Sequence, residues 1–148
     1  MEKVNLKEEV VKALKEEAEE AYNEECCGFL FGHEEQERNI VVAWPVENKM
    51  EDGRRRFEIG AEDYMKAEEK AEQEGLQLLG VYHSHPDHPA IPSQHDHKQA
   101  MPYFSYVIIS VGRGTAQNIR SWQLNENNEF QEEDISYTFN FKKVETHE

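Results

Sequence analysis

Cysteine is nearly absent from this chain, and its only two cysteines, Cys26 and Cys27, are neighbours. A disulfide between adjacent residues would be badly strained, so no framework of cross-links organises the fold, as in proteins of a reducing compartment. Two thiols side by side also cannot supply the four ligands of a structural cysteine–zinc site. Any metal must be held by histidines and carboxylates. Basic residues are scarce beside acidic ones: 16 Lys and Arg stand against 31 Asp and Glu, a formal charge of −15. That is the wrong sign for a nucleic-acid or anionic-membrane binder and suits a basic partner or saline surroundings. Long apolar runs are missing as well. No stretch approaches a membrane span, and "MEKVNLKEEVVK" lacks the apolar core of a signal peptide, so the expectation is a cytoplasmic protein. At 148 residues the chain suits one domain, 1–148, with one site.

What is present is a series of short, well-punctuated elements. Leu6, Val10, Leu14, Ala18 and Tyr22 recur every four residues among Glu and Lys, which predicts an amphipathic helix from Leu6 to about Tyr22. "CCGFLFG" and "NIVVAWPVEN" read as two paired strands. The charged connection "MEDGRRRFEIG" follows, and its Arg54, Arg55 and Arg56 read as a solvated loop. A second helix is predicted from about Ala61 to Gln73, stopped by Gly75. "LQLLGVYHSH", Leu76 to His85, is a buried strand that turns polar at its C-terminal end, where ligands gather in open α/β sheets. Ser93 opens a short helix as Ser-x-x-Asp, an acidic capping box with Asp96 at its third position. "FSYVIISVG", "AQNIRSWQLN" and "EFQEEDIS" supply three more strands. The order is that of an α/β fold, a central mixed sheet with helices packed on it.

Five of the seven histidines fall between His83 and His97. His83 and His85, two apart on a strand, project from the same side and can share one ion. Asp96, across the bend "PDHPAIP", can aim its carboxylate back from the first helical turn. Two histidines and a carboxylate leave a tetrahedral zinc one open position, the mark of a catalytic site more often than a structural one. Such a site needs a general base. Glu25 opens a buried strand, where a carboxylate is costly unless used, and Glu24 is its competitor. His88, His95 and His97 read as surface or supporting groups, and Asp87 as a cap for the bend.

"ECCGFLFG" followed by "HSHPDHPAIPSQHD" resembles the JAMM (MPN+) zinc metallopeptidases, whose signature is a Glu, then His-Ser/Thr-His-Pro, then Ser-x-x-Asp. The likeness is closest to the compact prokaryotic peptidases that act on ubiquitin-like sulfur-carrier proteins, and it runs from about Val4 to Asp134. The resemblance implies a cytidine-deaminase-like α/β fold and one zinc on His83, His85 and Asp96. It also implies Glu25 as general acid/base and Ser93 as a donor to the oxyanion. The implied partner is a ubiquitin-like or sulfur-carrier protein with a diglycine C-terminus. A non-catalytic MPN scaffold is the rival reading, although such relatives have lost ligands that this chain keeps. A cysteine nucleophile at Cys26 or Cys27 is disfavoured because free cysteine in an apolar strand is usually core. A zinc deaminase is disfavoured because its Pro-Cys-x-x-Cys pair is missing.

Overall fold

The computed structural model of the chain describes residues 3–50 and 57–137; Arg54, Arg55 and Arg56 lie outside the described residues. In chain order the elements are β1 (Lys3–Leu6), α1 (Glu8–Ala21), β2 (Cys27–Glu34), β3 (Arg38–Val46), α2 (Ala61–Gln73), β4 (Gln77–Pro86), α3 (Gln94–Gln99), β5 (Ser105–Gly112), β6 (Thr115–Leu124) and β7 (Phe130–Ser136). The strands are ordered β1-β3-β2-β4-β5-β6-β7 and the sheet closes on itself. Closure comes from β1, which runs parallel to β3 on one side and parallel to β7 on the other. The β4–β5 pair is also parallel and the remaining pairs are antiparallel. The mixed sheet with helices on it is as expected; the closing strand is not.

The reason lies in Leu6. Its four-residue spacing to Val10 fits a helix, yet it is fully buried in β1 opposite Ile40, and α1 starts only at Glu8. From there the predicted stripe holds: Val10, Leu14 and Ala18 are buried and join Leu30, Tyr82, Val107 and Ile109 in one core. On the opposite face Ala67 and Ala71 of α2 pack with Phe29, Phe31, Phe57 and Val81. Gly75 ends that helix in the left-handed region, at φ +70°, where a side chain would be strained.

β4 lies at the centre, antiparallel to β2 and parallel to β5. Opposite β2, Leu30 pairs with Gly80 and the next residue, Phe31, with Leu78, so Leu79 is left over as a bulge. An extra residue reverses the alternation of faces. As a result Leu79 and Tyr82 share the α1 core, whereas Val81 joins the α2 core. His83 and His85 follow Val81 at intervals of two, which places them on the α2 side at the end of the strand.

Candidate metal centre

Both histidines are buried, at 1% and 5% exposure, and their Nε2 atoms lie 3.2 Å apart. Asp96 arrives from α3. Ser93 is the N-cap of that helix: its Oγ accepts from the Asp96 N–H at 3.0 Å, while Asp96 Oδ2 accepts from the Ser93 N–H at 2.9 Å. The reciprocal bonds turn the carboxylate toward the strand end, where Oδ2 is 3.1 Å from each histidine Nε2. The three atoms form a nearly equilateral triangle with sides of 3.1–3.2 Å. A tetrahedral centre bonded to N and O ligands at roughly 2.0–2.1 Å has edges of about 3.3 Å. Among the described residues these three make a group able to hold a metal ion.

The donor chemistry is consistent with that. His85 Nδ1 is 2.8 Å from the carbonyl oxygen of Pro89, which can only accept, so Nδ1 carries the hydrogen and the Nε2 lone pair faces inward. It meets an ionised carboxylate. Burial, which by itself would raise the Asp96 carboxyl, is outweighed by His83, His85 and the Ser93 N–H, and the group stays well below the usual carboxylate range. Burial holds His83 toward its neutral form. Burial, which by itself would lower the His85 imidazole, is outweighed by its bonds to Asp96 and Pro89, which raise it, so the inward atoms at this distance need a proton or a metal cation between them. On its other side the His83 ring is stacked by Phe57, with centroids 4.3 Å apart and planes 22° apart.

Glu25 is buried and Glu24 exposed. Glu25 lines a cleft of about 230 Å³ with His85, His88, Pro89, Ile91 and Ser93. Its Oε1 is buried and without a hydrogen-bond partner. Burial, opposed by His85 and assisted by Asp96, pushes its carboxyl up to about 8. That holds for the metal-free site; a cation on the neighbouring ligands would draw the carboxyl down, toward the ionised form that can take a proton and return it. Ser93 Oγ accepts its capping bond, so its hydroxyl hydrogen is available to the cleft the residue lines.

The other histidines are elsewhere. His95 Nε2 lies 2.9 Å from the Phe57 carbonyl and His97 Nε2 2.7 Å from that of Asn128. His88 is exposed at the cleft mouth. Asp87 accepts from Tyr22 Oη and from the Arg113 N–H, at 2.6 and 2.9 Å, and so ties the bend to α1 and the β5–β6 turn. Cys26 and Cys27 are buried thiols. Burial pushes Cys26 up to about 12 and Cys27 upward too, which leaves neither as a thiolate nucleophile.

Three residues around the site have no role assigned by the sequence: Phe57, Asn48 and Ser84, the last of them the Ser of the His-Ser-His motif. Ser84, fully buried between the two histidines, accepts the Cys26 N–H on its Oγ at 2.9 Å and donates its own N–H to the Cys26 carbonyl at 3.1 Å. Asn48 Nδ2 donates to the Glu25 carbonyl at 3.0 Å.

The family described as prokaryotic homologs of the JAB domain matches residues 7–125. A desampylase of Pyrococcus furiosus is 33% identical over 108 residues, which cover 73% of this chain and 72% of that protein. A probable TtuB-protein conjugate cleaving protease of Thermus thermophilus is 51% identical over 45 residues, 30% of each chain. A JAB1/MPN domain protein of Archaeoglobus fulgidus, AF2198, has the same fold at a TM-score of 0.56. The likeness covers 89% of this chain and 98% of that one at 15% identity. Among the described residues, no helix is long and apolar enough to cross a membrane.

Proposed function

The chain belongs to the prokaryotic homologs of the JAB domain, hydrolases of the JAMM type, and on that premise we propose that it cleaves the bond after the C-terminal glycine of a ubiquitin-like or sulfur-carrier protein. The observation that carries the reading is the triangle of His83 Nε2, His85 Nε2 and Asp96 Oδ2 beside the uncompensated carboxyl of Glu25. The names of the relatives, a desampylase and a TtuB-protein conjugate cleaving protease, favour a protein conjugate as substrate.

His83, His85 and Asp96 would hold one zinc, which when bound polarises the scissile carbonyl and lowers the pKa of water at the site. Glu25 takes a proton from the attacking water as its oxygen adds to the carbonyl carbon. The Ser93 hydroxyl donates to the oxyanion that develops. Glu25 then returns the proton to the nitrogen as the C–N bond breaks, leaving a carrier carboxylate and a free amine. A diglycine tail has no side chains, so it can lie extended in a narrow groove and be held through its main chain. The reaction would take place in the cytoplasm, where the two buried thiols stay reduced, within a single domain.

The test is mass spectrometry of a diglycine-ended carrier bearing one extra C-terminal cysteine. Zinc-loaded protein should remove the cysteine and Glu25→Gln should not. If the wild type leaves such carriers intact yet binds them as tightly as Glu25→Gln does, the chain is a scaffold.

A further inference from the structure

Glu25 stands two residues before β2, outside the hydrogen-bond ladder that fixes its neighbours. Its carboxyl can point reliably only if its backbone is fixed some other way. The peptide unit that follows it, the Glu25 carbonyl and the Cys26 N–H, is bonded at both ends by side chains. Asn48 Nδ2 donates to the carbonyl at 3.0 Å and Ser84 Oγ accepts the N–H at 2.9 Å. Holding that plane fixes the position of the Glu25 Cα and the direction of its Cα–C bond relative to the strand, and so the point from which the side chain departs.

The two clamping residues come from informative places. Ser84 sits between the metal-site histidines, so it ties Glu25 to their strand. Asn48 follows β3, and its Oδ1 accepts the N–H of Met50 at 2.9 Å and that of Glu58 at 3.1 Å, while Lys49 N–H donates to the Glu58 carbonyl at 3.2 Å. One amide therefore joins both ends of the connection between β3 and α2 to the backbone of Glu25. The amide has one sensible orientation here, because a carbonyl must receive its NH2 and two N–H groups must meet its oxygen. The same connection carries Phe57, which stacks on His83.

We propose that Asn48 and Ser84 are positioning residues that clamp the Glu25–Cys26 peptide plane and so hold Glu25 over the site. The inference rests on Glu25 being the proton carrier of the proposed reaction. Asn48 makes that placement depend on the β3–α2 connection, and Ser84 makes it depend on the histidine strand. Displacing a reacting group by about 1 Å can cost roughly a hundredfold.

Asn48→Asp separates the two halves of the Asn48 role. The substituted side chain still accepts from Met50 and Glu58 but cannot donate to the Glu25 carbonyl. Asn48→Ala removes both without adding charge, Ser84→Ala removes the other clamp, and Ser84→Thr restores a hydroxyl. The expected result is a kcat lowered about ten- to a hundredfold in Asn48→Asp and Ser84→Ala, with KM little changed and zinc still at one per chain. Ser84→Thr should recover most of the loss. In a Glu25→Gln background Asn48→Asp should cost nothing further, because it acts through the group already removed. Hydrogen exchange at the Cys26 amide should quicken at least tenfold in Asn48→Asp. Unchanged kcat in Asn48→Asp and Ser84→Ala, or an equal further loss in the Glu25→Gln background, would overturn the proposal. If the wild type cleaves no carrier, the proposed function fails on its own. The clamp is then judged on the Cys26 amide, where unchanged exchange in Asn48→Asp overturns it.

Discussion

His85 donates from Nδ1 to the carbonyl oxygen of Pro89 at 2.8 Å, a bond between a strand residue and the bend that follows it. It selects the tautomer whose other nitrogen faces His83 and Asp96. Metal affinity should therefore fall on acidification, because the inward lone pairs must be free of protons to bind. Removing metal with a chelator should lower the melting temperature. A ligand present at a thousandfold over its Kd stabilises the folded state by about 4 kcal/mol. Thermal unfolding with and without chelator, repeated for His83→Ala combined with His85→Ala, checks this: the chelator should shift only the wild type.

Glu24 and Glu25 are adjacent and differ in burial, the first exposed and the second buried beside the cleft. Glu25→Gln should keep zinc and lose about two to four orders of magnitude in turnover. Glu24→Gln should turn over at the wild-type rate. Steady-state kinetics on both variants decides it, and a reversed result would place the active carboxyl one residue earlier.

The raised Glu25 carboxyl also predicts how the metal-free protein responds to pH. The group titrates near its ordinary 4.5 when unfolded and at about 8 when folded, so the folded state holds a proton that the unfolded chain has already released. The contribution of this group to stability should be greatest below pH 4.5 and fall by about 1.4 kcal/mol per pH unit above it. The fall should level off above about 8. Glu25→Gln lacks this dependence, so chelator-treated variant and wild type should diverge in urea midpoint as the pH rises from 5 to 8, with the variant the more stable. Parallel curves would contradict the burial argument.

Ser93 is the N-cap of α3 and, in the proposed reaction, the oxyanion donor, two roles that one substitution can separate by magnitude. Losing an N-cap costs about 1 kcal/mol of stability, whereas losing an oxyanion donor costs roughly a hundredfold to a thousandfold in kcat. Ser93→Ala should show both. A stability loss with unchanged kcat would leave Ser93 as a cap alone.

Much of this site was legible in the sequence because its determinants are local. The two-residue spacing of His83 and His85 sets their common face wherever the strand lies, and Ser93-x-x-Asp96 specifies its own capping geometry. The helical stripe of Val10, Leu14 and Ala18 was legible for the same reason. What escaped depends on partners distant in sequence. β1 is four residues long and becomes a strand only by pairing with β3 and β7. The Leu79 bulge, which decides the face on which the histidines emerge, exists only relative to β2. Asn48 and Phe57 reach the site from opposite ends of a charged connection, and no local pattern distinguishes them from loop residues. Ser84 lay in plain view inside "HSH", but its bond to Cys26 requires the β2–β4 register.

The compact bend around the cleft leads to an expectation about substrate. The cleft of about 230 Å³ suits a short leaving group better than a second folded domain. A carrier with one extra cysteine should be cleaved faster than a linked carrier dimer, and a bulky residue in place of the last glycine should block both. Competition between the two substrates in one reaction, followed by mass spectrometry, measures the ratio directly.

The central claim is that three atoms from a strand end and a helix start hold a metal within reach of Glu25. Anomalous diffraction at the zinc edge, on crystals of protein purified without added metal, tests it most directly. The account predicts one peak per chain, bonded to His83 Nε2, His85 Nε2 and Asp96 Oδ2 at roughly 2.0–2.2 Å. A peak on His95 or His97 instead, or no bound metal in protein that still cleaves its carrier, would contradict it.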